Sequence, residues 1–157
     1  MKYFTKDLLD KFNDQISEDE TQKYDKIWAY NLHQYWDEFY KISDRLPKRF
    51  VKIFKGGQLH DSMIENISIN QSISIRKKYY DVVVRLKSDT FYCDLIHNRI
   101  DSFLTSFDNL YVQNGFDYLY GEILQEPNGL WTHEFLLSCG SEVKIRCKEI
   151  KWSPVKG

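Results

Sequence analysis

At 157 residues with a formal net charge of −1, from 22 Lys and Arg against 23 Asp and Glu, the chain is long enough for one domain with its own core, and it has no basic excess to hold a nucleic acid backbone. No stretch approaches the roughly 18 uninterrupted apolar residues of a membrane helix, and the opening MKYFTKDLLDKF has no apolar signal-peptide core. Nucleic acid and membrane are therefore not expected as partners. Three cysteines, Cys93, Cys139 and Cys147, form no CxxC pair, and an odd count suits a reducing compartment better than a disulfide framework; the expected localisation is cytoplasmic. Cys147, in the alternating run Val143 to Cys147, reads as a small buried hydrophobe. Aromatic residues make up 16% of the chain, so its core should be built largely from rings.

In chain order, Thr5 to Asn13 predicts a short helix capped by Thr5, with Leu8, Leu9 and Phe12 on one face. Ser17 and Glu20 have capping-box spacing and open a long helix from about Glu18 to Asp44. Its apolar positions Tyr24, Ile27, Trp28, Leu32, Tyr35, Trp36 and Phe39 recur at three and four, a stripe expected to face the core. Pro47 separates it from a second short helix, Lys48 to Lys55, which Gly56 and Gly57 close and whose apolar side should plug one end of a sheet.

From Ser62 the period changes to two. Ile64 to Ile69 begins a long edge strand that could run on to Ile75, with a bend or bulge at Asn70 and Gln71. Tyr80 to Leu86 reads as a central strand buried on both faces, because β-branched residues stand on both sides. Phe91 to Ile96 should return antiparallel to it, continuing from Ile100 to Phe107. A loop is expected at Asn109 to Gly115 and a strand at Phe116 to Leu124, then a turn at Pro127-Asn128-Gly129. Leu130 to Leu137 and Glu142 to Ile150 form a hairpin, with a bulge near Lys148-Glu149 to reconcile Cys147 with Ile150.

The fold expected from this order is α+β in one domain, with helices over residues 1–55 packed on a twisted, mainly antiparallel sheet of about six strands over residues 56–157. The alternative is a small closed barrel with the long helix across its mouth.

Chemistry is sparse. There is no GxSxG elbow, no GxxxxGK[ST] and no GxGxxG, so no catalytic residue, metal ligand set or cofactor is assigned. The one compact polar cluster is Leu59-His60-Asp61-Ser62, at the junction between helices and strands. Its adjacent His and Asp could belong to a metal-dependent phosphohydrolase, but those enzymes carry the pair on a helix, and neither His33 nor His97 bears helical spacing to it. The simpler expectation is structural, with Asp61 or Ser62 capping a turn and His60 bonding nearby backbone. His60 and Asp61 are the candidate binding residues.

The opening Met1 to Lys6 and the junction Leu59-His60-Asp61-Ser62-Met63-Ile64 resemble a family of uncharacterised bacterial proteins that begin MKYFTK and carry Leu-His-Asp-Ser/Ala-x-Ile after an aromatic-rich helical segment. The same junction ahead of a meandering sheet is similar to that of several immunity-protein families, which neutralise toxins by binding them. That resemblance implies a non-enzymatic, immunity-like module whose partner is another protein such as a toxin. The alternative is an enzyme or small-molecule binder with a site near His60 and Asp61.

Overall fold

The computed structural model describes residues 1–13, 17–74, 77–106 and 116–155. Helix α1 covers Lys6–Asn13, α2 Glu18–Ile42 with a 3-10 turn at Ser43–Arg45, and α3 Lys48–Lys55. Six strands follow: β1 Ser62–Ser74, β2 Lys77–Lys87, β3 Tyr92–Ser106, β4 Phe116–Gln125, β5 Trp131–Leu137 and β6 Glu142–Pro154. The architecture is α+β, and every pairing is antiparallel in the order β1-β2-β3-β6-β5-β4. The sheet closes on itself through three residue pairs between β1 and β4, Ser62 to Ile64 with Tyr118 to Phe116, so the barrel of the alternative expectation forms, while the long helix expected across its mouth packs on β4.

Helix starts follow the sequence signals. The Ser17 side chain accepts from Glu20 N while the Glu20 carboxylate accepts from Ser17 N, the reciprocal pair of a capping box. The Thr5 hydroxyl accepts from Leu8 N at 3.3 Å. Leu8 and Leu9 are buried; the side chain of Phe12, the third residue expected on that face, lies outside the described residues, as does Ile75.

The stripe on α2 packs only in part. Tyr35 and Phe39 are buried and Trp28 and Trp36 pack against the core, but Ile27 and Leu32 are 38% and 36% exposed, which corrects the expectation of a wholly core-facing stripe. The reason is breadth: the covered side of α2 centres on Trp28, Asn31, Tyr35 and Phe39, so Ile27 and Leu32 fall at its two flanks, and the helix meets the sheet at β4. There β4 has run past the start of β1, and Ile123 N, which β1 does not reach, donates to the Tyr35 hydroxyl at 2.9 Å. Helix α3 buries Phe50, Ile53 and Phe54. The Phe50 ring lies 6.3 Å from that of Trp152, which places α3 at the barrel end where β3 begins and β6 finishes.

The strands deviate from expectation in three places. β1 runs through Asn70 and Gln71 without interruption, and its register shift falls at Glu65 instead. β2 is buried on one face only: Val82, Val84 and Leu86 are covered while Val83 is half-buried. Lys148 and Glu149 are both exposed between buried Cys147 and Ile150, the expected change of side. It comes without a register shift, since Arg99 at φ 53° stands opposite Lys148; the register shift of this pair lies at Asp101. The expected loop at Asn109 to Gly115 lies outside the described residues. The turn at Pro127-Asn128-Gly129 forms as expected, with Gly129 at φ 84°. No helix among the described residues is long and apolar enough to cross a membrane.

Candidate functional site

His60 and Asp61 end the turn after α3. Asp61 has φ 60°, a left-handed conformation that aspartate tolerates better than most residues. Its amide donates to Tyr118 O at 2.8 Å, which ties the turn to β4. Ser62 is buried and its hydroxyl donates to Leu59 O at 2.7 Å. His60 bonds a side chain instead of the expected backbone group: its Nδ1 donates to Asp61 Oδ2 at 2.8 Å, and its ring stands edge-on to Tyr120 at 4.9 Å. Both side chains face solvent across an open groove of about 530 Å3, shared with Gln58, Met63, Lys87, Ser88, Asp89 and Thr90. His33 lies elsewhere, on α2, 3.6 Å from Asp37. Among the described residues no group of three or more His, Cys, Asp and Glu is placed to hold a metal ion.

The other two histidines meet inside the barrel, where both are fully buried. His97 on β3 and His133 on β5 stack at 5.1 Å although β6 separates their strands in the sheet. His97 Nδ1 lies 3.3 Å from Val82 O, His97 Nε2 lies 2.9 Å from His133 Nδ1, and His133 Nε2 lies 3.2 Å from the Tyr118 hydroxyl. Burial pushes the pKa of His97 down to about 4, and burial together with His97 pushes that of His133 well below its ordinary range, so both rings are neutral near pH 7.

Neutrality fixes the direction of every bond. A carbonyl only accepts, so His97 Nδ1 carries the proton and its Nε2 accepts from His133 Nδ1; His133 Nε2 then accepts from Tyr118. Burial raises the Tyr118 pKa far above its usual value, which keeps the phenol a donor. All three side chains are therefore satisfied by one another and by Val82, and the chain braces β2, β3, β4 and β5 from within.

A second buried polar group sits outside the barrel wall. The carboxylate of Glu122 accepts from the amides of Lys2, Tyr3 and Phe4 at 2.8, 2.7 and 2.7 Å and so moors the N-terminal segment to β4. Asn31 on α2 donates to Tyr3 O at 2.9 Å.

Sequence reasoning did not single out His133, Tyr118 or Glu122 and considered His97 only as a partner for His60. The signal for the histidines is parity: His97 continues Cys93 and Leu95, and His133 stands between Trp131 and Phe135, each at an apolar position of an alternating strand. Cys147 is buried as expected, and burial pushes its thiol up to about 12. No protein-family model and no curated protein matches the chain.

On the outer side of α2, away from the barrel, Tyr30, His33, Asp37 and Tyr40 form an exposed row at spacings of three and four. Tyr30 is 64% and Tyr40 55% exposed, and Lys55 Nζ of α3 lies 4.1 Å from the centre of the Tyr40 ring. This row and the groove at His60 each place polar groups beside accessible rings.

Proposed function

We propose that the chain is a non-catalytic protein-binding module of the immunity type, and that the outer surface of its helices carries the contact with a partner protein such as a toxin. The observation that carries this reading is the row Tyr30, His33, Asp37 and Tyr40, in which large rings with polar tips stand exposed on a rigid helix. Tyrosine anchors of this kind are enriched in protein interfaces because they bury much area at low entropic cost. The pairing of His97, His133 and Tyr118 with one another supports the same reading, since they serve the fold. The likeness of Leu59 to Ile64 to immunity-type proteins agrees with it.

A small-molecule or enzymatic site is the second reading, favoured by the half-exposed His60 beside its groove. Photo-crosslinking in the native host separates the two. With p-benzoylphenylalanine at position 30 or 40, a defined protein should be captured, and the same probe at exposed position 148 should capture none. No capture from the helix positions, together with a ligand or metal ion that co-purifies with the wild type and is lost on His60→Ala, would replace the first reading by the second.

A further inference from the structure

Helix α3 carries Lys48, Arg49, Lys52 and Lys55 and no acidic residue, four positive charges on eight residues of a chain whose net charge is −1. All four are exposed. Among the described residues none forms an ion pair with a carboxylate; Lys55 instead lies over Tyr40. The other cations that matter to the fold are matched, Arg85 to Asp94 and Arg146 to Glu126 and Asp101. Among the described residues, the positive face of α3 is thus a place where positive charge is concentrated and left to solvent.

That face borders a cleft of about 520 Å3 lined by Arg49, Phe91, Tyr92, Trp152 and Pro154. Phe91 and Trp152 form its floor with ring centres 5.6 Å apart and planes at 63°. Phe91 is nearly covered, whereas Trp152 is half-buried.

We propose that α3 and this cleft receive an acidic segment of the partner protein, with an apolar side chain seated against Trp152 and carboxylates paired to Arg49 and Lys52. The proposal rests on the protein-binding reading above and names the chemistry of the partner. Charge complementarity selects an anion, and the cleft selects an apolar anchor beside it. Two features favour an acidic peptide over a single-stranded nucleic acid. Rings tilted at 63° make a slot for a side chain, not parallel platforms for stacked bases. An eight-residue helix is also only about 12 Å long, too short to track an extended phosphate backbone.

The test uses the isotope-labelled full chain at low salt with three probes: the blocked peptide Glu-Glu-Leu-Phe-Glu-Glu, its all-Gln counterpart and a ten-nucleotide oligothymidylate. The acidic peptide should give saturable NMR shifts at the Trp152 indole and the Arg49 and Lys52 amides. The Gln peptide, or the acidic peptide on the Arg49→Glu/Lys52→Glu variant, should bind about tenfold more weakly or worse. Both substitutions are at exposed positions, and an otherwise unchanged spectrum shows that the variant is folded. Absence of saturable shifts, shifts insensitive to the double substitution, or tighter binding of the oligothymidylate at the same residues would each overturn the proposal. If crosslinking from positions 30 and 40 captures a partner while the acidic peptide leaves Trp152 unmoved, the protein-binding reading stands and this inference falls. If neither surface engages a protein, both fall.

Discussion

The hydroxyl of Tyr118 lies over Gly121, in the space that a Cβ at position 121 would fill. The bulge at Leu119, between the register pairs of Tyr118 and Tyr120, brings the two residues onto the same inner side of β4. Only glycine lets the phenol cross the strand to reach His133. Gly121→Ala should therefore cost about 1 to 3 kcal/mol in chemical denaturation, the range of overpacked cores, because Phe135 on the other side stands only 3.3 Å from the added carbon and leaves no room to yield. A variant as stable as wild type would mean that Tyr118 leaves the histidine chain freely.

The paired histidines make stability depend on pH in a defined window. Their folded pKa values lie below the ordinary 6.5, at about 4 for His97 and lower for His133, so the unfolded chain binds more protons than the folded one as pH falls below 6.5. Their contribution is complete above pH 6.5 and is lost as pH falls from there through about 4, with a slope of up to about 1.4 kcal/mol per pH unit for each histidine. Carboxylates with lowered pKa, such as Glu126 held down by Arg146, titrate below this window. Denaturant titrations from pH 7 to 4.5 should show the slope, and His133→Gln, compared with wild type as a difference between the two pH values, should roughly halve it.

Glu122 offers a sharper loss. Glu122→Ala leaves the amides of Lys2, Tyr3 and Phe4 without their acceptor beneath α2. The cost should be about 2 to 4 kcal/mol, the scale of hydrogen bonds to a buried charge. Hydrogen exchange at Tyr3 and Phe4 should accelerate before that of β5, since the mooring fails locally. Uniform acceleration across the barrel would show that the N-terminal segment and the sheet open as one unit.

At the junction, backbone conformation dominates over side-chain contact. Asp61 sits at φ 60° with its amide bonded to Tyr118 O. Asp61→Gly should keep stability within about 0.5 kcal/mol, whereas Asp61→Ala should lose about 1 kcal/mol through left-handed strain. An opposite order in thermal unfolding would assign the stabilisation to the His60 pair instead.

Local signals were legible where one residue's chemistry settles an outcome. The capping box at Ser17, the stop at Gly56 and the period of two from Ser62 placed the helices and most strands within a few residues, because caps, turns and alternation act over a handful of positions. Closure of the sheet was not legible beyond an alternative. It depends on three pairs between β1 and β4, segments some fifty residues apart in sequence, and on the bulges at Glu65 and Leu119 that turn the strands toward each other.

The division is clearest at the histidines. The sequence by itself determined that His97 and His133 occupy apolar positions of two strands, since each follows the alternation of its neighbours. Which partner each would find was decided only by the tertiary structure. Two imidazoles on strands separated by β6 come within 2.9 Å because the sheet curls into a barrel, and the same closure that removes water from them leaves each other, Val82 and Tyr118 to satisfy their hydrogen bonds.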